Sequence, residues 1–328
     1  MYGTGSSAPT RAAAEPARVP QFYLIPKKLA RKAPILASLV QWLEGLGVRV
    51  IFWIMRRLSV EQACQLSALV FGLVGPHGDK AKKARINLGI AFPDSSEKWR
   101  EQTTRQIFRY LGISAAELIK LEQIWNEREQ RLEYVIQPKA RELIERKGVA
   151  VFVTAHVGAW QISPFAGKNL GITASTIYAP ESNPVIARLM LDLRKTFGDK
   201  LIASDAGARP LIKELKAGRS INIAMDTRLD TGQLVPFFGR DALTNTSAAG
   251  LALRTGAALV MGRAERLPGG RFRITMYDPL INPIPDAPFK EQTLALTALI
   301  NSHFEDWIRE DPAQWICLKR RWPKAHKL

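Results

Sequence analysis

Residues 149–161 read VAVFVTAHVGAWQ. The run Val149–Ala155 is short, apolar and rich in valine, which predicts a buried strand rather than a helix. It stops at His156, and Gly158 and a helical pattern follow. A strand ending this way puts the imidazole at the C-terminal edge of a sheet, where open α/β sheets hold their ligand crevices. The helix expected next would bring its N-terminus, a site suited to anions, close to the ring.

Outward from this stretch the same texture repeats. ITASTIY (172–178) and SINIAMD (220–226) read as strands, separated by helical patterns at 184–197 and 208–217. Strand signals alternating with helix signals indicate an α/β sheet with parallel pairs. ALVMGRAE (258–265) and RFRITMYD (271–278) are joined by Leu267-Pro268-Gly269-Gly270, a hairpin signal that adds an antiparallel element. A helix around 288–309 closes the core. Upstream, residues 25–147 read as mostly helical, punctuated by Gly75-Pro76 and Phe92-Pro93-Asp94. The expected fold is α/β: a mixed, partly parallel sheet flanked by helices, with a helical N-terminal region. The expected division is a disordered leader over 1–24, a helical region over 25–147 containing a membrane-interface helix, an α/β core over 148–318 and a basic tail over 319–328.

The chain has 328 residues, 46% hydrophobic and 23% charged, which excludes a wholly disordered chain and a multi-span membrane protein. Its 47 Lys+Arg against 30 Asp+Glu leave a net charge of +17, which favours nucleic acid, an anionic membrane surface or acidic proteins as partners. No zinc-finger spacing, RNP-like strand or basic recognition helix accompanies that charge, so a nucleic-acid role rests on charge alone. Two cysteines, Cys64 and Cys317, are too few for a disulfide framework or a zinc cluster and suit a reducing compartment. P-loop, GxGxxG and HExxH patterns are absent, and nothing implies a metal or cofactor.

Ile35–Met55 is the most apolar stretch of the chain. Gln41, Glu44 and Arg49 interrupt it, and a charge at the centre of a bilayer costs roughly 2.5–3.5 kcal/mol. Trp42 and Trp53 with Arg56 and Arg57 suit a helix lying in the membrane interface; a buried helix of a soluble domain and a true span are the alternatives. The basic clusters at Lys80–Arg85 and in the last ten residues, KRRWPKAHKL, suit anionic headgroups.

Of the four histidines, His77, His156, His303 and His326, position singles out His156. The string His156-Val157-Gly158-Ala159-Trp160-Gln161 resembles the motif of the bacterial lipid A biosynthesis (lauroyl/myristoyl) acyltransferases, within the lysophospholipid acyltransferase superfamily. That motif is a histidine, four residues, then Asp or Glu. Further blocks are similar in the same order: ARINLGIAFPD (84–94), ESNPVIARLMLDLR (181–194), AMDTRLDTGQLVPFFG (224–239), LALRTGAALVMGRAERLPGGRFRI (251–274) and EDPAQWICLKRRW (310–322).

The resemblance implies a glycerol-3-phosphate acyltransferase-like fold. It also implies transfer of an acyl chain from an acyl carrier protein or CoA thioester to a hydroxyl of a lipid A precursor or related membrane lipid. The place implied is the cytoplasmic face of the bacterial inner membrane, with the protein peripheral or monotopic there. A histidine base takes the hydroxyl proton, a carboxylate steadies the imidazolium, and a cation or N–H groups meet the oxyanion. His156 is the expected base and Gln161 its orienter; Arg194 and Arg240, the latter after Phe237-Phe238-Gly239, are the candidate oxyanion or phosphate ligands. Trp160, Phe237 and Phe238 are expected to line the acyl pocket.

The departures are specific. The motif acid is Gln161, its Asn is Ala159, an Arg–Pro pair reads Ala179-Pro180, a DQ pair reads Asp226-Thr227, and a terminal His is Lys319. Glutamine accepts a hydrogen bond but brings no charge, so a relocated acid or a catalytically impaired homologue that binds lipid or acyl carrier protein are both open. Asp226, ending a neighbouring strand, approaches His156 from another side or simply caps a turn.

Overall fold

The computed structural model describes residues 34–181 and 183–322; the leader expected over 1–24 and the residues from 323 onward lie outside these. Helices α1 (Pro34–Arg57), α2 (Val60–Val74), α3 (Asp79–Ala91), α4 (Glu97–Ile119), α5 (Leu121–Asn126) and α6 (Arg128–Arg131) come first. Strand β1 (Leu132–Ile136) and helix α7 (Pro138–Glu145) follow. Next come β2 (Ala150–Thr154), α8 (Pro164–Asn169), β3 (Ala174–Tyr178), α9 (Pro184–Arg194), β4 (Lys200–Ala203), α10 (Ala208–Lys216) and β5 (Ser220–Ala224). The chain closes with β6 (Arg228–Phe237), β7 (Arg240–Thr244), α11 (Ser247–Thr255), β8 (Ala258–Leu267), β9 (Arg271–Met276) and α12 (Phe289–Glu310).

The main sheet has seven strands in the order β1-β9-β8-β2-β5-β3-β4. All neighbours are parallel except the β8–β9 hairpin, so the fold is α/β with a mixed, mostly parallel sheet flanked by helices and a helical N-terminal region. Central strands β2 and β5 are covered on both faces, and for that reason they read as near-continuous apolar runs. Three pairings go beyond the sequence reading. β4, in a stretch given no element, pairs parallel to β3 at one edge of the sheet. Leu132–Ile136 lies within the stretch read as helical, yet it pairs parallel to β9 as an edge strand. β6 and β7 form a separate two-stranded sheet whose turn, Phe238-Gly239, has positive φ at both residues. That is the backbone of a tight hairpin turn.

The first and last family-like blocks of the sequence buckle together. Asn87 in α3 donates to the carbonyls of Cys317 and Lys319, each at 2.8 Å, and accepts from the Arg321 amide at 3.0 Å. Within the segment expected to be a tail from 319 onward, Arg321 and Trp322 are core residues, while Lys319 is exposed. Trp322 is fully buried against Phe237, and the buried Arg321 guanidinium lies over the Phe237 ring while bonding Leu243 and Thr244.

Helix α1 divides cleanly by face. Gly45, Phe52 and Met55 are buried, whereas Leu39, Trp42, Leu43, Leu46, Val50, Trp53 and Ile54 are exposed. Gln41 and Glu44 turn inward, where the Asn183 side-chain amide donates to the backbone carbonyl of Gln41 and to the Glu44 carboxylate. The polar interruptions of this apolar helix thus meet α9, since Asn183 also caps that helix by accepting from the Val185 amide. Leu66, Leu69, Val70, Leu73 and Val74 of α2 extend the exposed apolar surface. Among the described residues, Ser38–Arg57 is one helix segment long and apolar enough to cross a membrane.

Candidate active site

The register of two neighbouring strands builds the centre of the site. β2 and β5 pair parallel from Val151 opposite Ile221 to Thr154 opposite Ala224, a constant offset, and the Met225 amide continues the ladder onto the Thr154 carbonyl. Carried two residues further, the same offset sets His156 beside Asp226. The Asp226 Oδ1 atom accepts from the His156 backbone amide at 2.9 Å and lies 2.6 Å from Nδ1 of the ring. Its other oxygen accepts from the Trp315 indole at 3.1 Å. The loop before α8 is also tied down from behind, because the Ile316 amide donates to the His156 carbonyl at 2.9 Å.

The His156 side chain is 30% exposed and the Asp226 side chain 1% exposed. Burial alone would depress the imidazole, but the Asp226 charge and hydrogen bond outweigh it and hold the His156 pKa above its ordinary value. The converse holds for Asp226: burial pushes it up, while His156 and the donated hydrogen bonds carry it below the usual carboxylate range. With Nδ1–H directed at the carboxylate, Nε2 is the ring nitrogen left to take a proton.

The segment after His156 is not the helix the sequence predicts. Gly158 takes a left-handed φ of 64°, where a side chain would strain the backbone and its Cβ would strike the Ala264 carbonyl oxygen. Ala159 then donates to that carbonyl at 2.8 Å, a 3-10 turn spans Trp160–Ile162, and Pro164 opens the six-residue α8. This bend lays the Trp160 ring edge-on to the imidazole, with centroids 5.3 Å apart.

In front of the pair lies a cavity of about 420 Å³, walled by α4, α9, the Trp160 turn and the ends of β2, β3 and β5. Leu111, Leu118, Ile177, Met190 and Phe197 make most of it apolar. Arg194, at the end of α9, supplies a cation: its Nη2 is 3.7 Å from Glu181, its guanidinium lies over the Tyr178 ring, and its buried Nη1 has no partner. A smaller apolar recess shares Thr154, Ser163, Asn222 and Ile223 with this cavity and ends at Gly262, Ile274 and Met276.

The structure brings together five of the residues singled out in the sequence and separates the rest. His156, Trp160, Gln161 and Arg194 all line the cavity, and Asp226 stands directly behind the imidazole. Gln161 does not engage His156 through Nδ1, which Asp226 occupies; its amide donates instead to the Ser114 carbonyl at 3.0 Å. Phe237 and Phe238 lie outside the cavity, packed with Trp315 and Trp322, because the hairpin that carries them faces α12: the Phe238 amide bonds Glu305. Gly239 and Arg240 are exposed at the hairpin turn, away from the cavity lining. Trp315, Tyr178, Glu181 and Ser114 were not anticipated as site residues. Trp315 and Glu181 carried a signal, as parts of the family-like blocks at 310–322 and 181–194.

The fold is thus α/β, with a mixed, mostly parallel sheet that sets a histidine–aspartate pair before an apolar cleft. The chain belongs to the bacterial lipid A biosynthesis acyltransferases: that family's model matches residues 29–324. It is 27% identical over 302 residues to the lipid A biosynthesis lauroyltransferase of Escherichia coli K12, covering 85% of this chain and 91% of that one. It is 24% identical over 294 residues to the palmitoleoyltransferase of the same organism, covering 85% and 90%. A lipid A biosynthesis acyltransferase of Haemophilus influenzae is 25% identical over 252 residues, covering 73% and 76%. Among solved structures, the 1-acyl-sn-glycerophosphate acyltransferase of Thermotoga maritima matches at a TM-score of 0.36 and 13% identity, over 74% of this chain and 97% of that one.

Proposed function

We propose that this protein transfers a fatty acyl chain from an acyl carrier protein or CoA thioester to a hydroxyl of a lipid A precursor or a related membrane lipid. The observation that carries the reading is the His156–Asp226 pair at the mouth of an apolar cavity that also holds Arg194. Family membership supplies the acyl transfer to a lipid.

The chemistry follows from the geometry. The acceptor hydroxyl gives its proton to Nε2 of His156 as its oxygen attacks the thioester carbonyl. Asp226 keeps the ring in the tautomer that can accept that proton and steadies the imidazolium that results. The carbonyl oxygen becomes an oxyanion, and Arg194, desolvated and with an unpartnered Nη1, is the nearby cation to meet it. Collapse breaks the carbon–sulfur bond, and the thiolate takes the proton back from the imidazolium. The apolar walls hold the acyl chain, with the recess beyond Ile223 taking its end.

The acceptor is a membrane lipid, and the exposed apolar face of α1 and α2 is suited to lie in a bilayer interface with Trp42 and Trp53 at headgroup level. Arg56 and Arg57 at the end of α1, and a net charge of +17, favour an anionic surface and an acidic donor protein. These features support a location on the cytoplasmic face of the inner membrane, peripheral or monotopic. The alternative, an impaired homologue that only binds lipid or carrier protein, drew on the missing motif acid, and Asp226 supplies a carboxylate to the same imidazole. Incubation of the purified protein with labelled acyl carrier protein and membrane lipid tests the reading. Labelled lipid is expected, and binding of the donor without transfer would favour the alternative.

A further inference from the structure

Gln161 stands where the family motif carries its acid, with four residues between it and His156. We propose that it is a positioning residue that requires an amide, and that a carboxylate at this place works against the site. The inference rests on the acyl-transfer reading above.

Gln161 ties the Trp160–Ile162 turn to helix α4 by donating to the Ser114 carbonyl at 3.0 Å. A carbonyl oxygen can only accept, so the group facing it must be a donor. This single bond crosses the cavity wall between the turn whose Trp160 ring stands against His156 and the helix that closes the opposite side.

The surroundings are already supplied with negative charge. Ser114 sits one turn before Glu117, a fully buried carboxylate. Arg266 grips Glu117 through Nε at 2.6 Å and Nη2 at 2.8 Å. Its Nη2 also donates to the Ser114 hydroxyl at 2.9 Å and its Nη1 to Gln314 at 3.1 Å. Gln314 precedes Trp315, which donates to Asp226. The network therefore runs from Gln161 through Ser114 and Arg266 to the loop that fixes the His156 partner; the charged groups around it are Glu117, Arg266, Asp311 (which accepts from Gln314) and the His156–Asp226 pair. A glutamate at 161 would turn an oxygen towards the Ser114 carbonyl, setting one acceptor against another. The facing carbonyl oxygen disfavours the ionised form of such a group, and once protonated it can donate to Ser114 as the amide does.

The test compares Gln161→Glu and Gln161→Met with wild type. Acyl transfer from labelled acyl carrier protein to membrane lipid, and the unfolding temperature, are followed from acidic to alkaline pH. Relative to wild type, Gln161→Glu is expected to lose about tenfold in kcat at alkaline pH, the equivalent of one buried hydrogen bond, with the donor KM unchanged. The deficit should close as the pH falls and the carboxyl is protonated, whereas Gln161→Met stays low throughout. The unfolding temperature of Gln161→Glu should dip at alkaline pH and recover in acid. A Gln161→Glu enzyme as active as wild type or better at alkaline pH would overturn the proposal, since a carboxylate would then belong here. Should wild type transfer nothing, the acyl-transfer reading fails and the unfolding series alone decides. An unfolding temperature for Gln161→Glu equal to wild type at every pH would then overturn the tether.

Discussion

His156 and Asp226 are 70 residues apart in the chain and 2.6 Å apart in space, on the ends of two adjacent parallel strands. Asp226 is nearly inaccessible to water and receives three hydrogen bonds, from the His156 amide, the His156 ring and the Trp315 indole. A carboxylate so held remains ionised and fixed in direction, which is what an imidazole base needs from its partner.

Asp226→Asn keeps the size of the side chain and removes its charge. An amide at this place favours the wrong imidazole tautomer, and in serine-protease triads the corresponding change costs roughly 10⁴ in kcat. We expect a loss of about 10³–10⁴ in single-turnover transfer, read by quenched-flow with labelled thioester, while vesicle binding stays at the wild-type level.

The pH profile should carry the same signature. Asp226 raises the His156 pKa above its ordinary value, so the base is lost as the pH falls through that raised value. The acid limb of kcat/KM should therefore have its midpoint above about 6.5, the unperturbed histidine value. In Asp226→Asn the residual activity should show this limb displaced to lower pH. A limb unmoved by the substitution would mean that another group titrates.

Arg194 and Arg240 separate cleanly by position. Arg194→Ala removes a cation from the cavity and is expected to lower kcat by about 10²–10³, the usual effect of losing one oxyanion ligand. Arg240→Ala alters an exposed turn and should leave steady-state transfer within twofold of wild type, by roughly the margin common to surface changes.

The face of α1 is expected to act in membrane binding rather than in stability. Trp42 and Trp53 are 55% and 60% exposed, so Trp42→Ala with Trp53→Ala removes little packing from the protein. Each indole contributes on the order of 1–2 kcal/mol if it enters the interface. The double variant should bind anionic vesicles at least about tenfold more weakly in a flotation assay, with its unfolding midpoint unchanged.

Asn87→Ala tests the clasp between the first and last blocks. It deletes three hydrogen bonds at a fully buried position and leaves two carbonyls and one amide without partners. A loss of about 2–4 kcal/mol in denaturant unfolding is expected, with Trp322 exposed to quencher early in the transition.

Much of the sheet was legible because buried parallel strands have a plain signal. VAVFVTA and SINIAMD are apolar runs that both faces of the sheet require, and Pro268-Gly269-Gly270 marks the β8–β9 turn without reference to tertiary structure. β1 escaped notice because an edge strand of five residues, Leu132–Ile136, alternates half-buried and exposed positions amid charged neighbours. The β6–β7 hairpin was hidden by its turn, where Phe238 rather than glycine or asparagine adopts a positive φ.

The site was half legible. A histidine ending one strand and an aspartate ending another were both visible, but which strands are neighbours, and in what register, is a tertiary fact. Phe237 and Phe238 look like pocket residues in sequence and become packing residues once Trp315 and Trp322 close over them. The role of Gln161 could not be read from its spacing to His156, because Ser114 lies 47 residues away on α4.

The most direct test of the central claim is acyl transfer by wild type and His156→Ala, followed by mass spectrometry of the lipid formed from isotope-labelled acyl carrier protein. The account predicts a labelled lipid from wild type and none above background from His156→Ala, with both proteins folded and both binding the donor. Labelled lipid formed at the wild-type rate by His156→Ala would contradict it.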